Sequence, residues 1–309
     1  MLRLISFSIL FLGCAAVAFA DHGKGAVGGK TISPRTLSEE SFSLDTGFRY
    51  QKSETFSDDR LLAADANGHD LHGVEWAAEF SLGLAYGVTN HLSVSIALPF
   101  EVLHGFKFVD GGVVDEANSV VGVGDAVCLG KYSLLADPVE LALLAGVKIP
   151  TGSTNQLANS GTPLEPEHQP GTGSWDPIIG AALARQYEQV TLGGSVLYRI
   201  TSKGRHDYQP GQQIQAAIKA EHQFLGLGKY PRLYGSLELS ELYAAKNKTA
   251  GVKNQDSGGS IVGLGFGTRL RTDEHMTIAA TITLPVYQGL YGEQHKERYE
   301  LLFGTAYDF

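Results

Sequence analysis

Residues 297–309 read ERYELLFGTAYDF, and this stretch guides the interpretation of the whole sequence. Apolar and aromatic side chains recur at every second position, at Tyr299, Leu301, Phe303, Tyr307 and Phe309. Small or polar residues occupy most of the positions between them. Because side chains of a β-strand point alternately to its two faces, this pattern predicts a strand with one apolar face and one small or polar face.

Two kinds of protein could contain such a strand. Its aromatic ending resembles the closing strand of a bacterial outer-membrane β-barrel, whose last aromatic residue is recognised by the barrel assembly machinery. On this interpretation Tyr307 and Phe309 form the assembly signal. The alternative is the last edge strand of a soluble sandwich.

Length and composition are compatible with a barrel. The chain has 309 residues, which is enough for one large barrel or two ordinary domains. Its 38 glycines and its charged fraction of only 18% are typical of a β protein with tight turns. A mean hydropathy of -0.05 does not exclude a barrel, because alternating strands average to neutral.

The N-terminus has the features of an export signal. Arg3 precedes an apolar run over residues 4–18, and a small-x-small site ends at Ala20. We therefore predict a secretory signal peptide over residues 1–20, cleaved after Ala20. The alternative is a lipoprotein signal ending before Cys14. Cleavage after Ala20 leaves Cys128 as the single cysteine, which excludes a disulfide framework and a cysteine-based metal site.

The mature chain divides into two parts. Residues 21–40 are rich in Gly, Ser and Lys and show no strand periodicity, so we predict a flexible periplasmic segment. Residues 41–309 contain about twelve stretches of alternating character and are predicted to form the barrel. Removal of the signal peptide changes the formal charge from −9 to about −10, which argues against nucleic acid as a partner.

The connections between these stretches decide between barrel and sandwich. Short turns are predicted at Gly87–Asn90, Ala136–Pro138, Tyr187–Gln189, Leu225–Pro231 and Thr272–Glu274. Longer connections are predicted at Lys52–Leu71, Leu103–Val120, Thr151–Gly173, Thr201–Pro210, Ala244–Gly258 and Gly289–Glu297. Long and short alternate strictly, as expected for a transmembrane antiparallel β-barrel with short periplasmic turns and long extracellular loops. The fold class is therefore all-β, with about twelve strands; ten or fourteen remain open.

The two faces of the strands agree with this fold. Outward positions carry Leu, Val, Ile and Phe, with Trp76, Tyr86, Phe100, Tyr198 and Tyr299 near strand ends, where an aromatic girdle lies. The charged inward positions, which we predict to line the lumen, are Asp45, Arg49, Glu75, Glu79, Glu101, Lys131, Glu140, Lys148, Arg199, Lys219, Glu221, Glu238, Arg269 and Glu300. They could form a polar passage, or a salt-bridged network that fills a narrow barrel. Both can hold at once.

Other chemistry has little support. His69, Asp70 and His72 lie close together in the first long loop, but their spacing is not a firm ligand pattern, so no metal site and no cofactor are predicted. A barrel phospholipase needs a serine and a histidine together at the rim, and His222 has no such companion. Glu101 and Asp176 belong to no protease motif. The chain is not expected to be an enzyme.

Several short motifs resemble one known family of outer-membrane barrels, labelled as transporters of the meta-pathway of phenol degradation. These motifs are YGVTNHLSV at 86–94, IALPF at 96–100, GVGD at 122–125, VKIPTG at 147–152 and GTGS at 171–174. The similarity extends over most of residues 41–309. Within these motifs Gly122, Gly124, Asp125, Pro150 and Gly152 are expected to be structural, at turns and strand exits.

The resemblance implies a barrel in the outer membrane that moves small, often hydrophobic or aromatic, compounds. The family has no agreed catalytic residues to assign to this chain. The expected partners are outer-membrane lipid, the barrel assembly machinery and a small solute. The alternative is a non-transporting barrel whose loops bind a partner. A lumen filled by side chains or by residues 21–40 would favour that alternative.

Overall fold

The computed structural model of the protein describes residues 29–69 and 71–309. The predicted signal peptide, its cleavage site at Ala20 and the loop residue Asp70 lie outside the described residues. In the described ranges, no helix is both long and apolar enough to span a membrane.

The described chain consists mainly of antiparallel strands. In chain order these are β1 (Phe42–Ser53), β2 (Trp76–Thr89), β3 (Leu92–Asp110), β4 (Val113–Val123), β5 (Ala126–Leu135), β6 (Val139–Ile149), β7 (Asp176–Tyr187), β8 (Val190–Arg199), β9 (Tyr208–Gln209), β10 (Gln213–Leu225), β11 (Arg232–Ala244), β12 (Lys248–Thr249), β13 (Val252–Lys253), β14 (Gly259–Arg271), β15 (Met276–Leu290) and β16 (Glu297–Asp308). One α-helix, α1, covers Asp58–Ala66, and 3-10 turns cover Pro166–His168 and Arg205–Asp207.

Twelve of the described strands close into a barrel. Each strand of the barrel wall pairs with the wall strand that follows it in sequence. β4 is not part of the wall and pairs only with β3, and the two-residue strands β9, β12 and β13 form a separate small sheet. The ring closes because β1 pairs with β2 on one side and with β16 on the other, and β2 pairs with β3. In the closing pair, Leu44 lies opposite Tyr307 and Tyr50 lies opposite Leu301. The twelve-stranded antiparallel barrel predicted from the sequence is therefore confirmed.

The outer surface carries the apolar face of every wall strand. Along β2, Phe80, Leu82 and Leu84 are each about half exposed, while the intervening Glu79 and Ser81 are buried. Exposure of such a continuous apolar belt to water would be very unfavourable, whereas lipid tails solvate it. Aromatic rings meet at both edges of the belt. At the end with the long loops Tyr50 contacts Trp76 and Tyr299, and at the short-turn end Phe42 contacts Tyr86.

The long connections contain more regular structure than predicted. The connection expected at 103–120 is a β-hairpin, because β3 continues to Asp110 and turns through Gly111 and Gly112 into β4. Its apolar residues Phe106, Ala117 and Val120 are buried against Leu164 of the next long loop. The 52–71 connection contains α1, whose first turn is capped by the Ser57 hydroxyl. Packing against the neighbouring loop thus stabilises the parts of β3 and β4 that extend beyond the lipid.

The motifs that resemble the phenol-degradation family converge in space. The carboxylate of Asp125 accepts hydrogen bonds from the backbone N–H of Gly152 at 3.0 Å, and from the N–H and hydroxyl of Thr172 at 2.9 and 2.7 Å. Gly152 and Gly171 lie so close that a Cβ on either would come within about 2.5 Å of the other backbone. The glycines are needed for this close approach, which ties together both ends of the 151–173 loop.

Candidate functional site

The segment before β1 lies inside the barrel. We expected residues 21–40 to be flexible and periplasmic. For residues 29–40 this expectation differs from the structure, in which Thr31, Ile32 and Leu37 are buried by the inner wall. The physical reason is that the inner wall offers hydrogen-bond partners and apolar surface at matching heights. The lumen is thus occupied by a part of the same chain.

Several polar contacts of the segment converge on Glu238 of β11. The Glu238 carboxylate accepts hydrogen bonds from the N–H of Lys30 and Thr31, both at 2.9 Å, and from the Thr31 hydroxyl at 2.7 Å. Gln215 of β10 donates to the Lys30 carbonyl at 3.2 Å. An extended segment makes no hydrogen bonds between its own backbone groups, so these wall side chains satisfy backbone groups that would otherwise be unpaired in the lumen.

An apolar contact holds the next residue. Ile32 is 1% exposed and packs in a cluster with Val127, Leu129, Leu144 and Ile178 on the inner faces of β5, β6 and β7. Its N–H donates to the Ser195 hydroxyl at 3.0 Å. Burying one such side chain contributes roughly 1.5–3 kcal/mol. The inner wall therefore has an apolar side at β5, β6 and β7, although the sequence pattern indicated mainly charged inward positions.

The segment leaves the lumen at the short-turn end. The Arg35 guanidinium forms a bidentate ion pair with Glu140, and the Lys131 ammonium donates to the Arg35 carbonyl at 3.1 Å. The Leu37 N–H donates to the Ser93 hydroxyl at 2.7 Å. Each of these contacts joins the segment to a side chain of the wall, so the segment does not pair as an additional strand of the sheet. We call residues 29–40 the docked segment.

A buried ion-pair network crosses the seam of the barrel. The Glu300 carboxylate of β16 accepts from Arg49 of β1 at 2.7 Å and lies 2.9 Å from the Lys30 ammonium. Arg49 also donates to Gln51. One acid thus joins the two strands that close the ring to the segment inside it. Charge-assisted hydrogen bonds of this kind are stronger than neutral ones.

The fourteen predicted lumen-lining residues are distributed as follows. Buried residues are Asp45, Arg49, Glu79, Glu101, Lys131, Lys148, Arg199, Glu221, Glu238, Arg269 and Glu300. Glu140 and Lys219 are partly buried, and Glu75 is exposed beside Gly105 at the start of the β2 wall. Buried opposite charges are brought together in three groups: Arg49 with Glu300, Lys148 with Asp125 and Asp176, and Arg269 with Glu221. Lys131 instead donates to the backbone carbonyl of Arg35 in the segment. A role of these residues in solute passage stays a prediction.

Inward residues beyond the predicted set also contribute to the interior. Arg232 and Arg271 are register partners near the short turn between β10 and β11, and Arg271 is buried. Extending the period-two pattern by one step from Tyr234 and from Arg269 would have found both. Thr31 and Ile32 of the docked segment carry no periodic signal, because their conformation depends on distant wall residues.

The long loops pack against one another at the opposite end of the barrel. The imidazole of His72 stacks on Phe106 with ring centroids 5.6 Å apart, and His168 lies 4.2 Å from Phe106 and 4.8 Å from His72. Burial lowers the pKa of His168 to about 3. Burial, and then the nearby His168 and His295, hold the pKa of His72 well below its ordinary range. We call this group of rings, His72, Phe106 and His168, the histidine cap.

The loop histidines do not form a metal site in the described part of the chain. His69 lies 3.3 Å from the Asp256 carboxylate, while His72 points into the histidine cap. Across the described residues, no three His, Cys, Asp or Glu side chains are grouped so that they could hold a metal ion.

The aromatic pair at the end of β16 lies at the short-turn end of the barrel. Tyr307 and Phe309 contact each other edge to face at 4.9 Å, and the Phe309 N–H donates to the Phe42 carbonyl at 2.8 Å. Their role as an assembly signal stays a prediction.

Comparison with known proteins identifies the family. Residues 86–288, well over half of the chain, match the model of the family described as "Putative MetA-pathway of phenol degradation". The chain belongs to this family. The resemblance inferred from the sequence motifs is therefore confirmed, and the motifs that converge on Asp125 lie within the matched range. No curated protein matches the sequence.

Solved structures share the fold of this family member. The outer membrane channel from Pseudomonas putida F1 aligns with a TM-score of 0.63 and 14% identity, over 89% of this chain and 97% of that chain. The CymD monoaromatic hydrocarbon channel aligns with a TM-score of 0.48 and 9% identity, over 94% and 97% of the two chains. The KdgM porin in complex with oligogalacturonate gives 0.44 and 8%, over 86% and 99%. The first match supports the barrel fold. The other two matches have TM-scores below 0.5 and carry no argument.

Proposed function

We propose that the protein is an outer-membrane conduit for small solutes, in which residues 29–40 occupy the lumen until they are displaced. The observation that carries this proposal is the way the segment is held. Its contacts to Glu238, Glu140 and Ser93 use wall side chains, so the segment can leave without breaking any strand pairing of the barrel. Membership of the phenol-degradation family supports small aromatic or hydrophobic compounds as the solutes.

A non-transporting barrel is the second candidate. The filled lumen favours it directly, because the docked segment lies inside the barrel and is held by buried contacts to the inner wall. On this proposal the extracellular loops bind a partner or present a surface, and the interior charges serve only to stabilise the barrel.

Loosening the docked segment distinguishes the two candidates. Glu238→Gln removes the negative charge that accepts three hydrogen bonds from the segment, and a charged hydrogen bond contributes about 1.5–3 kcal/mol. The displaced population should then rise about tenfold or more. The expected result is a several-fold faster swelling of proteoliposomes in benzoate or arabinose. Glu241→Gln is the matched control, because Glu241 lies on the same strand but is exposed and bonded to Ser260.

Cells provide the second measurement. Uptake of aromatic acids and alkanes should be faster in cells that contain the protein than in cells that lack it. If neither wild type nor Glu238→Gln admits any solute in liposomes or in cells, the conduit is wrong and the non-transporting barrel stands.

A further inference from the structure

A cationic cavity lies beside the docked segment at the short-turn end of the barrel. Its volume is about 140 Å³. The basic side chains that line it are Arg35, Lys219, Arg232, Arg269 and Arg271, and the acidic ones are Glu140 and Glu221. The lining therefore carries an excess of positive charge, although the chain as a whole is acidic.

The two acids are already engaged. Glu140 is paired with Arg35 at 2.8 Å. Glu221 accepts from the Nε of Arg269 at 3.1 Å and also interacts electrostatically with Lys219. Within the described chain, no carboxylate lies at ion-pair distance from Arg232 or Arg271. Arg232 and Arg271 thus supply two of the three excess positive charges of the lining.

Arg232 and Arg271 are held side by side. They are direct register partners on β11 and β14, an arrangement that is destabilising for like charges unless an anion lies between them. Arg271 is only 6% exposed, and its one described hydrogen bond runs from a terminal nitrogen to the Glu274 carbonyl at 3.1 Å. The Nε of each arginine is buried without a hydrogen-bond partner. Such a donor pair is an incomplete site.

Aromatic rings fix the planes of these guanidinium groups. The Tyr230 ring lies 4.6 Å from the Arg232 guanidinium carbon and 5.5 Å from that of Arg271. The Tyr234 ring lies 3.9 Å from the guanidinium carbon of Arg269. An arginine stacked on an aromatic ring uses the face of its guanidinium group, so the N–H donors in the guanidinium plane remain available to a ligand. The donors are therefore oriented before any ligand arrives.

We propose that this cavity binds a small organic anion, namely a carboxylate carried on a single six-membered ring, with Arg232 and Arg271 as its partners. The planar guanidinium fork matches a carboxylate bidentately. A cavity of ~150 Å³ accommodates one benzene molecule, so the present volume suits one ring. Ile32 and Pro34 of the docked segment supply apolar lining. This inference deepens the proposed function, on which it rests for its physiological meaning, by assigning a solute class to the lumen.

Binding to the purified full-length protein in detergent tests the proposal by calorimetric titration with benzoate. Saturable binding is expected. Arg271→Gln and Arg232→Gln should each weaken it about tenfold or more, since each removes a charged partner. Arg185→Gln is the matched control, because Arg185 is an exposed arginine near the same end, stacked on Tyr187 outside the cavity. Thermal unfolding of each variant confirms that the barrel remains folded.

Each contrary result overturns a defined part of the proposal. No benzoate binding to the wild type, or equal binding by Arg271→Gln, Arg232→Gln and Arg185→Gln, removes the site. Benzyl alcohol binding as tightly as benzoate would show that charge is not recognised. If inorganic phosphate binds as tightly as benzoate, the site recognises small anions in general and is not selective for a carboxylate on a ring. The binding measurement needs no transport, so its failure differs from failure of the conduit, which is the absence of solute flux.

Discussion

At the scale of single residues, Lys148 shows how the family motifs act. Its ammonium is 2% exposed and lies 2.6 Å from Asp125 and 3.1 Å from Asp176. It also donates to Thr172 and to the Ser174 carbonyl. One lysine thus connects β5, β6 and β7 to the end of the 151–173 loop. A buried charge is tolerated only when it is paired in this way.

Replacing this lysine should strongly destabilise the protein. Lys148→Met leaves the Asp125 and Asp176 carboxylates buried without their cation, which costs about 3–5 kcal/mol. The measurement is the free energy of unfolding by urea in lipid vesicles. Lys203→Met is the control, because Lys203 and Asp207 form a solvent-exposed pair that contributes at most about 1 kcal/mol. Equal losses for the two variants would contradict the role of Lys148.

At the scale of elements, the histidine cap joins the extended β3–β4 hairpin to the loop that contains the Pro166–His168 turn. In the folded protein His72 and His168 are neutral, because burial holds their pKa below that of the unfolded chain. The unfolded chain therefore binds more protons below about pH 6.5. The stability that these histidines contribute is present above that pH and is lost as the pH falls toward the folded-state pKa.

Acid should therefore loosen the cap before it unfolds the barrel. Each pH unit below about 6.5 costs up to about 1.4 kcal/mol per histidine. Hydrogen exchange of residues 156–169, corrected for the intrinsic effect of pH, should accelerate between pH 7 and pH 5. His168→Phe keeps an aromatic ring without a proton site and should reduce this acceleration. Burial raises the pKa of Glu167, which acts in the opposite direction, so the comparison of the two proteins isolates the histidine. An unchanged pH response in His168→Phe would contradict this account.

At the scale of the whole molecule, the barrel depends on contact between its first and last strands. Thr46 of β1 and Thr305 of β16 are register partners on the outer face, with hydroxyl oxygens 2.8 Å apart. All backbone groups in lipid must be paired, and closure provides this by removing both edges of the sheet. Arg49 and Glu300 reinforce the same seam from inside.

A cross-link across the seam should form readily. In a Cys128→Ser background, Thr46→Cys with Thr305→Cys places two thiols on directly opposed residues, within the range of Cα separations that a disulfide accepts. Oxidation should give a species that migrates differently on a non-reducing gel and resists heat unfolding until it is reduced. Thr46→Cys with Thr268→Cys is the control, because Thr268 lies on β14, which does not pair with β1. Absence of the first cross-link would contradict the closed ring.

Much of this architecture could be predicted from local patterns, and some of the interior could not. Asp125, Gly152 and Gly171 were recognisable as motif residues, yet only the fold brings them together. The charged wall positions followed from alternation along each strand, while their partners on other strands did not. Both cavity arginines continue the alternation of their own strands, but only the register of β11 against β14 places Arg232 beside Arg271.

The sequence by itself determined the twelve strands of the barrel wall, their two faces, the turn order and the family. The physical reason is that period-two alternation and turn residues act locally, and lipid outside the barrel requires an apolar outer face. Only the tertiary structure decided what occupies the lumen. Residues 29–40 have no periodicity, and their partners Ser93, Glu140 and Glu238 come from three distant strands. Their position follows from hydrogen bonds and burial that exist only once the ring has closed.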